Sequence, residues 1–189
     1  MTQSEQRLTE STVVMTADAV SDAIRRMATE ILDALGQSDA FVLLGILSRG
    51  RPLADRIANE INSVTGAAPN VGSLATTLYR DDLRSGMGKP RVGAGETHFD
   101  FDVSGVTVVL VDDVISAGRT VRAAMDEVMD YGRPKRIQLA CLVDRGVREL
   151  PIQPDYLGAT IDTHVEDHVA VRLAETDGED IVLLERVAE

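Results

Sequence analysis

The sequence predicts an α/β fold: a parallel sheet flanked by helices, with a small antiparallel hairpin lobe, or hood. Through the middle of the chain, apolar runs of strand length alternate with segments of helical periodicity, which is typical of parallel strands joined by right-handed crossovers. Towards the end, Asp177 and Gly178 separate two short strand-like segments, 168–175 and 180–185, and this pattern indicates a β-hairpin.

The first half of the chain is predicted to contribute two helices and two strands to this fold. Thr16 is a plausible N-cap, and apolar residues then recur at helical spacing as far as Gly36, which favours termination. Residues 40–47 form a buried strand, and Pro52 falls where the start of a second helix tolerates it. Residues 71–79 are predicted to form the next strand.

A long loop divides the two halves. Residues 80–98 contain five Gly or Pro residues and no hydrophobic period, so we interpret them as a flexible lid. Strand character returns at 99–103, and a buried strand over 108–111 leads into a helix that ends at Gly132. Another buried strand covers 137–143, ahead of the hairpin.

The most informative stretch is an acid pair at a strand end. Asp112 and Asp113 follow the apolar run 108–111 directly, which places them at the carboxyl edge of the sheet, where α/β folds bind ligands. A small-residue turn then opens a helix and offers backbone N–H groups to an anion; it comprises Ser116, Ala117, Gly118, Arg119 and Thr120. A ribose 5-phosphate satisfies both features, because its hydroxyls can donate to the acids. The alternative is a plain strand–helix junction with two solvated acids, as in receiver domains.

Three further segments end strands at the same edge. Ser48 and Arg49 form a turn in which an arginine can bind phosphate with two hydrogen bonds, suiting a pyrophosphate leaving group. Arg80 heads the lid and is a candidate catalytic residue that meets pyrophosphate on closure. Val143, Asp144 and Arg145 lead into a Gly turn whose backbone groups could read the edge of a flat base; a charged connecting loop is the alternative.

The acid-pair stretch resembles the phosphoribosyl-pyrophosphate signature of type I phosphoribosyltransferases. Further motifs in order are similar to the pyrimidine-operon attenuation regulator family, and they are Tyr79-Arg80-Asp81-Asp82-Leu83, Tyr131-Gly132-Arg133-Pro134, Asp144-Arg145-Gly146, Arg148-Glu149-Leu150-Pro151-Ile152 and Pro154-Asp155-Tyr156. The resemblance implies uracil phosphoribosyltransferase activity, with phosphoribosyl pyrophosphate (PRPP) and Mg²⁺ as donor and UMP as product. It also implies a homodimer or larger homo-oligomer, and messenger RNA binding in response to uridine nucleotides.

The resemblance implies a role for each motif of this chain. Asp112 and Asp113 would bind the ribose hydroxyls, residues 116–120 the 5-phosphate, and Ser48-Arg49 the pyrophosphate. The chain departs from the family pattern at several positions, which are Thr29, Ala75, Ala117, Val147 and Ala159. Three of these, at 29, 147 and 159, replace basic residues in segments associated with RNA contact. The remaining candidates for an RNA-binding patch are Arg25, Arg26 and Arg148.

Composition bounds the remaining possibilities. The net charge of −12 opposes non-specific binding to nucleic acid and to anionic membranes. Cys141, the single cysteine, lies in an apolar strand run and is expected in the core rather than as a nucleophile. Without a signal peptide or a long apolar run, we expect a cytoplasmic protein with a polar tail over 1–12 and one domain over 13–189. Three readings stay open: an enzyme that makes UMP, an RNA-binding regulator with secondary catalysis, and a phosphoribosyltransferase-fold protein acting on another base.

Overall fold

The computed structural model describes residues 9–36, 40–76 and 96–187. In chain order the elements are β1 (Thr9–Met15), α1 (Ala17–Leu35), β2 (Phe41–Ile46), α2 (Gly50–Thr65), β3 (Asn70–Leu74), β4 (Thr107–Ile115), α3 (Arg119–Tyr131), β5 (Arg136–Asp144), β6 (Tyr156–Thr160), β7 (His168–Arg172), α4 (Ala174–Asp177) and β8 (Ile181–Val187). Within these ranges, no helix is long and apolar enough to cross a membrane.

A parallel sheet of the order β3-β2-β4-β5-β6 forms the centre of the molecule. Its middle strands are buried on both faces, which is why they read as continuous apolar runs in the sequence. Helices α1 and α2 pack on one face and α3 on the other, so two separate apolar clusters form the core. Cys141 is fully buried in this core, as predicted, and burial is the main cause that raises the pKa of its thiol.

The ends of α1 follow the predicted signals. The backbone N–H of Ala19 donates to Oγ1 of Thr16, 3.4 Å away, and the N–H of Gly36 donates to the carbonyl of Leu32 at the other end. Helix α2 begins at Gly50, so Pro52 lies in its first turn, where no intrahelical N–H bond is lost.

A second, antiparallel sheet of the order β1-β8-β7 forms the hood. The predicted hairpin is present, and its connection includes the short helix α4. The third strand, β1, begins at Thr9, inside the segment that the sequence assigned to a polar tail. Polar side chains are compatible with a strand there, because β1 lies at the edge of its sheet and residues 10–13 are exposed.

Of the two strand predictions beside the long loop, the first was wrong in extent and the second was wrong altogether. Strand β3 ends at Leu74 among the described residues, well before residue 79. Residues 99–103 form no strand; Ser73 and His98 make one isolated bridge instead. The alternating apolar side chains there pack onto the α3 side of the core, where the ring centroids of Phe99 and Tyr131 are 4.8 Å apart.

Ala75, before the predicted lid, and Thr97, near its end, are joined to each other and to α3. The backbone N–H of Ala75 donates to Oγ1 of Thr97 at 2.9 Å, and this hydroxyl donates to Oε1 of Glu127 at 2.6 Å. Glu127 is buried, so the hydrogen bond satisfies a carboxylate that would otherwise be costly to bury. Most of the predicted lid, including Arg80, lies outside the described residues.

Candidate functional site

A cleft of about 430 Å³ lies where the carboxyl ends of β2 and β4 face the hood. The residues that line it are Arg49, Asp113, Val114, Ser116 and Arg145 on the side of the central sheet, and His168, Val169, Ala170, Val171, Arg172 and Asp177 on the hood. A second groove, of about 480 Å³, lies beside Gly132 and Pro134 at the other edge of the sheet and contains none of the predicted site residues.

The Ser48-Arg49 turn is fixed by two close backbone approaches. A Cβ atom on Gly45 would lie 2.4 Å from the Cα of Arg51, and one on Gly50 would lie 2.2 Å from the carbonyl oxygen of Val111. Glycine at both positions therefore lets α2 start directly against β2 and β4. This packing places Arg49, the residue before α2, on the wall of the cleft.

The two acids lie at the end of β4 but in different surroundings. Asp113 lines the cleft, and its Oδ1 accepts a hydrogen bond of 2.9 Å from the N–H of Val114. Asp112 is 6% exposed, and its Oδ1 accepts from the N–H of Asp113 at 3.0 Å. Burial raises the pKa of the Asp113 carboxyl, while its hydrogen bonds and the charge of Arg49 act to lower that pKa. Asp113 is thus the acid better placed to meet a substrate.

The predicted phosphate turn joins β4 to α3. Gly118 has φ of 90°, a left-handed conformation that glycine adopts without strain, and it precedes the first residue of α3. The first N–H groups of a helix have no intrahelical partner, and the start of a helix is therefore a favourable position for an anion. Ser116 also lines the cleft, which brings this turn and Asp113 to one site.

The loop after β5 holds the phosphate turn from behind. The N–H groups of Glu149 and Leu150 both donate to the carbonyl of Ala117, at 3.1 and 3.0 Å. The side chain of Arg119 pairs with Glu149, with 2.6 Å between Nη2 and Oε2. The carbonyl of Ala117 thereby points towards the loop after β5.

Of the three residues predicted to contact the base, the side chain of one reaches the cleft. Arg145 lines it and donates through Nη2 to the carbonyls of His164 and Val165. Val143 is fully buried in the core. The carboxylate of Asp144 is occupied by Arg148, with 2.6 Å between Oδ2 and Nη2.

Arg148, one of the three candidates for an RNA-binding patch, is largely shielded from solvent. Its side chain is 16% exposed and also donates to the carbonyls of Ser116 and Ile152, at 2.9 and 2.7 Å. It acts as a brace between the loop after β5 and the phosphate turn. Because these bonds use most of its donors, the guanidinium is poorly placed for RNA.

Arg25 and Arg26 lie on α1 and are about half exposed. Arg25 pairs with Asp22 at 2.9 Å, whereas Arg26 donates to the carbonyls of Leu157 and Gly158 in β6. These contacts leave part of each side chain open to solvent.

Two arginines connect the hood to the central sheet: Arg49, the N-cap of α2, and Arg56, within α2. Arg49 binds Asp177 through two hydrogen bonds, of 3.1 and 2.8 Å. Arg56 binds both Glu175 and Asp180, and its shortest bonds to them are 2.6 and 2.7 Å. These charged pairs add to the apolar packing of the hood, whose Val169, Val171 and Val182 belong to the same buried cluster as α1 and α2.

Sequence reasoning missed the hood side of the cleft. His168, Arg172 and Asp177 line it, yet they lie far along the chain from the strand-end motifs. The Asp177-Gly178 pair was read only as a turn signal. Alternation in β7 indicates which residues share a face, but the sequence gives no sign of which sheet that face meets.

Comparisons with known proteins agree with this geometry. The family model described as "Phosphoribosyl transferase domain" matches residues 14–176. The bifunctional protein PyrR of Pelotomaculum thermopropionicum is 48% identical over 180 residues, which cover 95% of this chain and 98% of that protein. The chain belongs to the PyrR family of phosphoribosyltransferases.

Other matches extend the PyrR assignment. The bifunctional protein PyrR of Chloroflexus aurantiacus is 50% identical over 173 residues, covering 92% of this chain and 94% of that protein. Among solved structures, a hypoxanthine-guanine phosphoribosyltransferase from Bacillus anthracis superposes with a TM-score of 0.70 over 93% of this chain and 98% of that one. At 15% identity this likeness concerns the fold alone. The predicted family and fold class are confirmed.

Proposed function

We propose that this PyrR-family chain transfers the phosphoribosyl group of PRPP to uracil, giving UMP and pyrophosphate. The observation that carries the proposal is that Arg49, which follows β2, and Asp113 and Ser116, at the end of β4, line one cleft under the hood. Arg49 supplies a cation for pyrophosphate, Asp113 supplies a carboxylate for the ribose hydroxyls, and Ser116 belongs to the turn for the 5-phosphate. The bond from C1 of the ribose to the pyrophosphate oxygen breaks, a bond from C1 to a ring nitrogen of uracil forms, and the proton of that nitrogen is released to the departing pyrophosphate or to water.

Each residue acts on a different part of this transfer. Asp112 and Asp113 hold the ribose hydroxyls and offset the positive charge that develops on the sugar. Arg49 balances charge on the departing pyrophosphate, and Arg80 is proposed to join it from the lid. Residues 116–120 hold the 5-phosphate through backbone N–H groups.

The donor set of the cleft fits a magnesium ion that arrives with PRPP. Magnesium is commonly held by one or two carboxylates together with substrate phosphates, and Asp113 supplies a carboxylate beside the proposed phosphate positions. Within the described residues, no cluster of three or more His, Cys, Asp or Glu side chains could hold a metal by itself. When bound, the ion would neutralise charge on the pyrophosphate group.

To test which base the enzyme accepts, uracil, orotate, hypoxanthine and adenine are each assayed with PRPP and Mg²⁺. We expect pyrophosphate release and nucleotide formation with uracil, at a rate at least about 100-fold above the others, because a site that hydrogen-bonds one base edge leaves polar groups unpaired with another. Release of pyrophosphate without nucleotide would indicate hydrolysis. Faster transfer to hypoxanthine or adenine would contradict the assignment of uracil.

A second function, RNA-binding regulation, is favoured by the PyrR relatives, which are named bifunctional proteins. Two observations oppose RNA binding. The chain carries a net charge of −12, and the guanidinium of Arg148 is occupied by contacts within the protein. Binding a phosphate backbone requires clustered exposed cations. We therefore infer that any specific RNA affinity depends on α1, at Arg25 and Arg26, more than on Arg148.

This inference is tested by titrating the chain's own operon leader RNA at near-physiological salt with saturating UMP. Arg25→Gln with Arg26→Gln is expected to weaken binding by about tenfold or more and to flatten its salt dependence, since each lost phosphate contact lowers the salt slope. Glu10→Gln, an exposed change in β1, is the control for a general change in charge. Binding equal to that of an unrelated RNA would leave the chain with its enzymatic function alone.

A further inference from the structure

The hood reaches into the proposed donor site through one carboxylate. Asp177, at the end of α4, accepts hydrogen bonds from Nε and Nη2 of Arg49, at 3.1 and 2.8 Å. Both side chains are mostly shielded, at 28% and 21% exposure, and both line the cleft. This two-point pairing fixes the plane of the guanidinium as well as its position.

Asp177 is itself held in place. Its Oδ2 accepts from the backbone N–H of Leu173 at 3.0 Å and from Oγ1 of Thr176 at 2.6 Å. The hydrogen bonds from Arg49, and then that from Thr176, keep the pKa of the Asp177 carboxyl well below its ordinary value. The group is therefore a fixed negative charge at neutral pH.

The pairing leaves part of Arg49 unused. A guanidinium has five N–H donors, and Asp177 occupies the edge formed by Nε and Nη2. In the described parts of the chain, the hydrogen bonds of Arg49 use Nε and Nη2 and leave Nη1, and the Asp113 charge acts on Arg49 across the cleft. An anion in the cleft can thus bind Arg49 without displacing Asp177.

We propose that Asp177 is a positioning residue for donor binding, which holds Arg49 from the hood so that its remaining donors meet the pyrophosphate group of PRPP. The proposal rests on the proposed function, since it assigns a partner to the residue that binds pyrophosphate there. The residue acts through Arg49 and does not touch the donor. It makes the hood, which lines the cleft opposite the central sheet, part of the donor site.

The variant that tests it is Asp177→Asn. Asparagine keeps an oxygen that can accept from the N–H of Leu173, but it removes the charge that orients Arg49. Hydrogen bonds to charged groups are strong enough that we expect KM for PRPP to rise about tenfold. We expect kcat and KM for uracil to stay within about twofold of wild type.

The matched control is Glu175→Gln. Glu175 lies on the same short helix and also pairs at two points with an arginine of α2, but that arginine is Arg56. It does not contact Arg49 in the described structure, so we expect its KM for PRPP to remain at the wild-type value. An equal rise in both variants would overturn the proposal and show that hood attachment alone is responsible.

Two more measurements separate this proposal from the proposed function. In an Arg49→Ala background, Asp177→Asn is expected to add less than a twofold effect on KM, because the residue through which it acts is gone. Calorimetric binding of inorganic pyrophosphate with Mg²⁺, without any base, is expected to weaken about tenfold in Asp177→Asn, whatever base the enzyme accepts. Tighter pyrophosphate binding would overturn the proposal, since it would mean that Asp177 competes with the anion.

Discussion

Replacing both acids of β4, as Asp112→Asn with Asp113→Asn, is expected to lower the rate of UMP formation by about 100-fold or more, the range typical for groups that stabilise charge in the transition state. The amides preserve size and one acceptor oxygen but remove the negative charge next to the developing cation. Because Asp113 lines the cleft and Asp112 is 6% exposed, most of the loss should appear in Asp113→Asn alone. Initial rates at saturating substrates measure this.

Asp155→Asn is the matched control for this experiment. Its carboxylate accepts from the backbone N–H of Leu139 at 2.8 Å, so the change removes a structural carboxylate away from the cleft. We expect some loss of stability and wild-type turnover. Turnover of the double variant at the wild-type rate, with its fold verified by urea unfolding, would mean that the site is assigned to the wrong residues.

Gly50→Ala is expected to lower both stability and activity. The new methyl would lie 2.2 Å from the carbonyl oxygen of Val111, a backbone atom that cannot rotate away. Overpacking of this kind costs about 1–3 kcal/mol of unfolding free energy. The start of α2 must also shift and carry Arg49 with it, and a displacement of about 1 Å in a positioning group can reduce the rate by about 100-fold. Urea unfolding and initial rates measure the two effects separately.

The other end of the same helix provides the control. Gly66 has φ of 75°, and a Cβ there would meet nothing within 4 Å. Gly66→Ala is therefore expected to cost about 1 kcal/mol through backbone strain and to leave turnover unchanged. If Gly50→Ala retained full activity, the close approach of α2 to β4 would not be what positions Arg49.

The central sheet could be predicted because its signals are local. The run from Val108 into Asp112 and Asp113, followed by the turn at Gly118, encodes strand, site edge and helix start within a few residues. Strand β1 could not be predicted in the same way. Its residues are mostly polar and exposed, and its partner, β8, is remote in the sequence.

The residues of the candidate site also differ in whether local sequence signals predict them. Arg49, Asp113 and Ser116 were predicted because each follows a buried strand, and parallel strands end at one edge. Asp177 was missed because its role depends on how a separate sheet docks over that edge. The shielding of Arg148 could not be predicted, because an arginine in a charged loop is expected to be solvated, whereas this one binds the carboxylate of Asp144 and several backbone carbonyls.

The pairing of β1 with β8 has a consequence for the order in which the chain acquires its structure. These strands are the most widely separated in sequence of all the described pairs, so joining them carries the largest loop-closure entropy. Contacts of such long range form late in folding, after pairings with shorter connections such as β4 with β5. We therefore expect the cleft to be completed in the final stage of folding, and partial unfolding to abolish substrate binding while the five-stranded sheet persists.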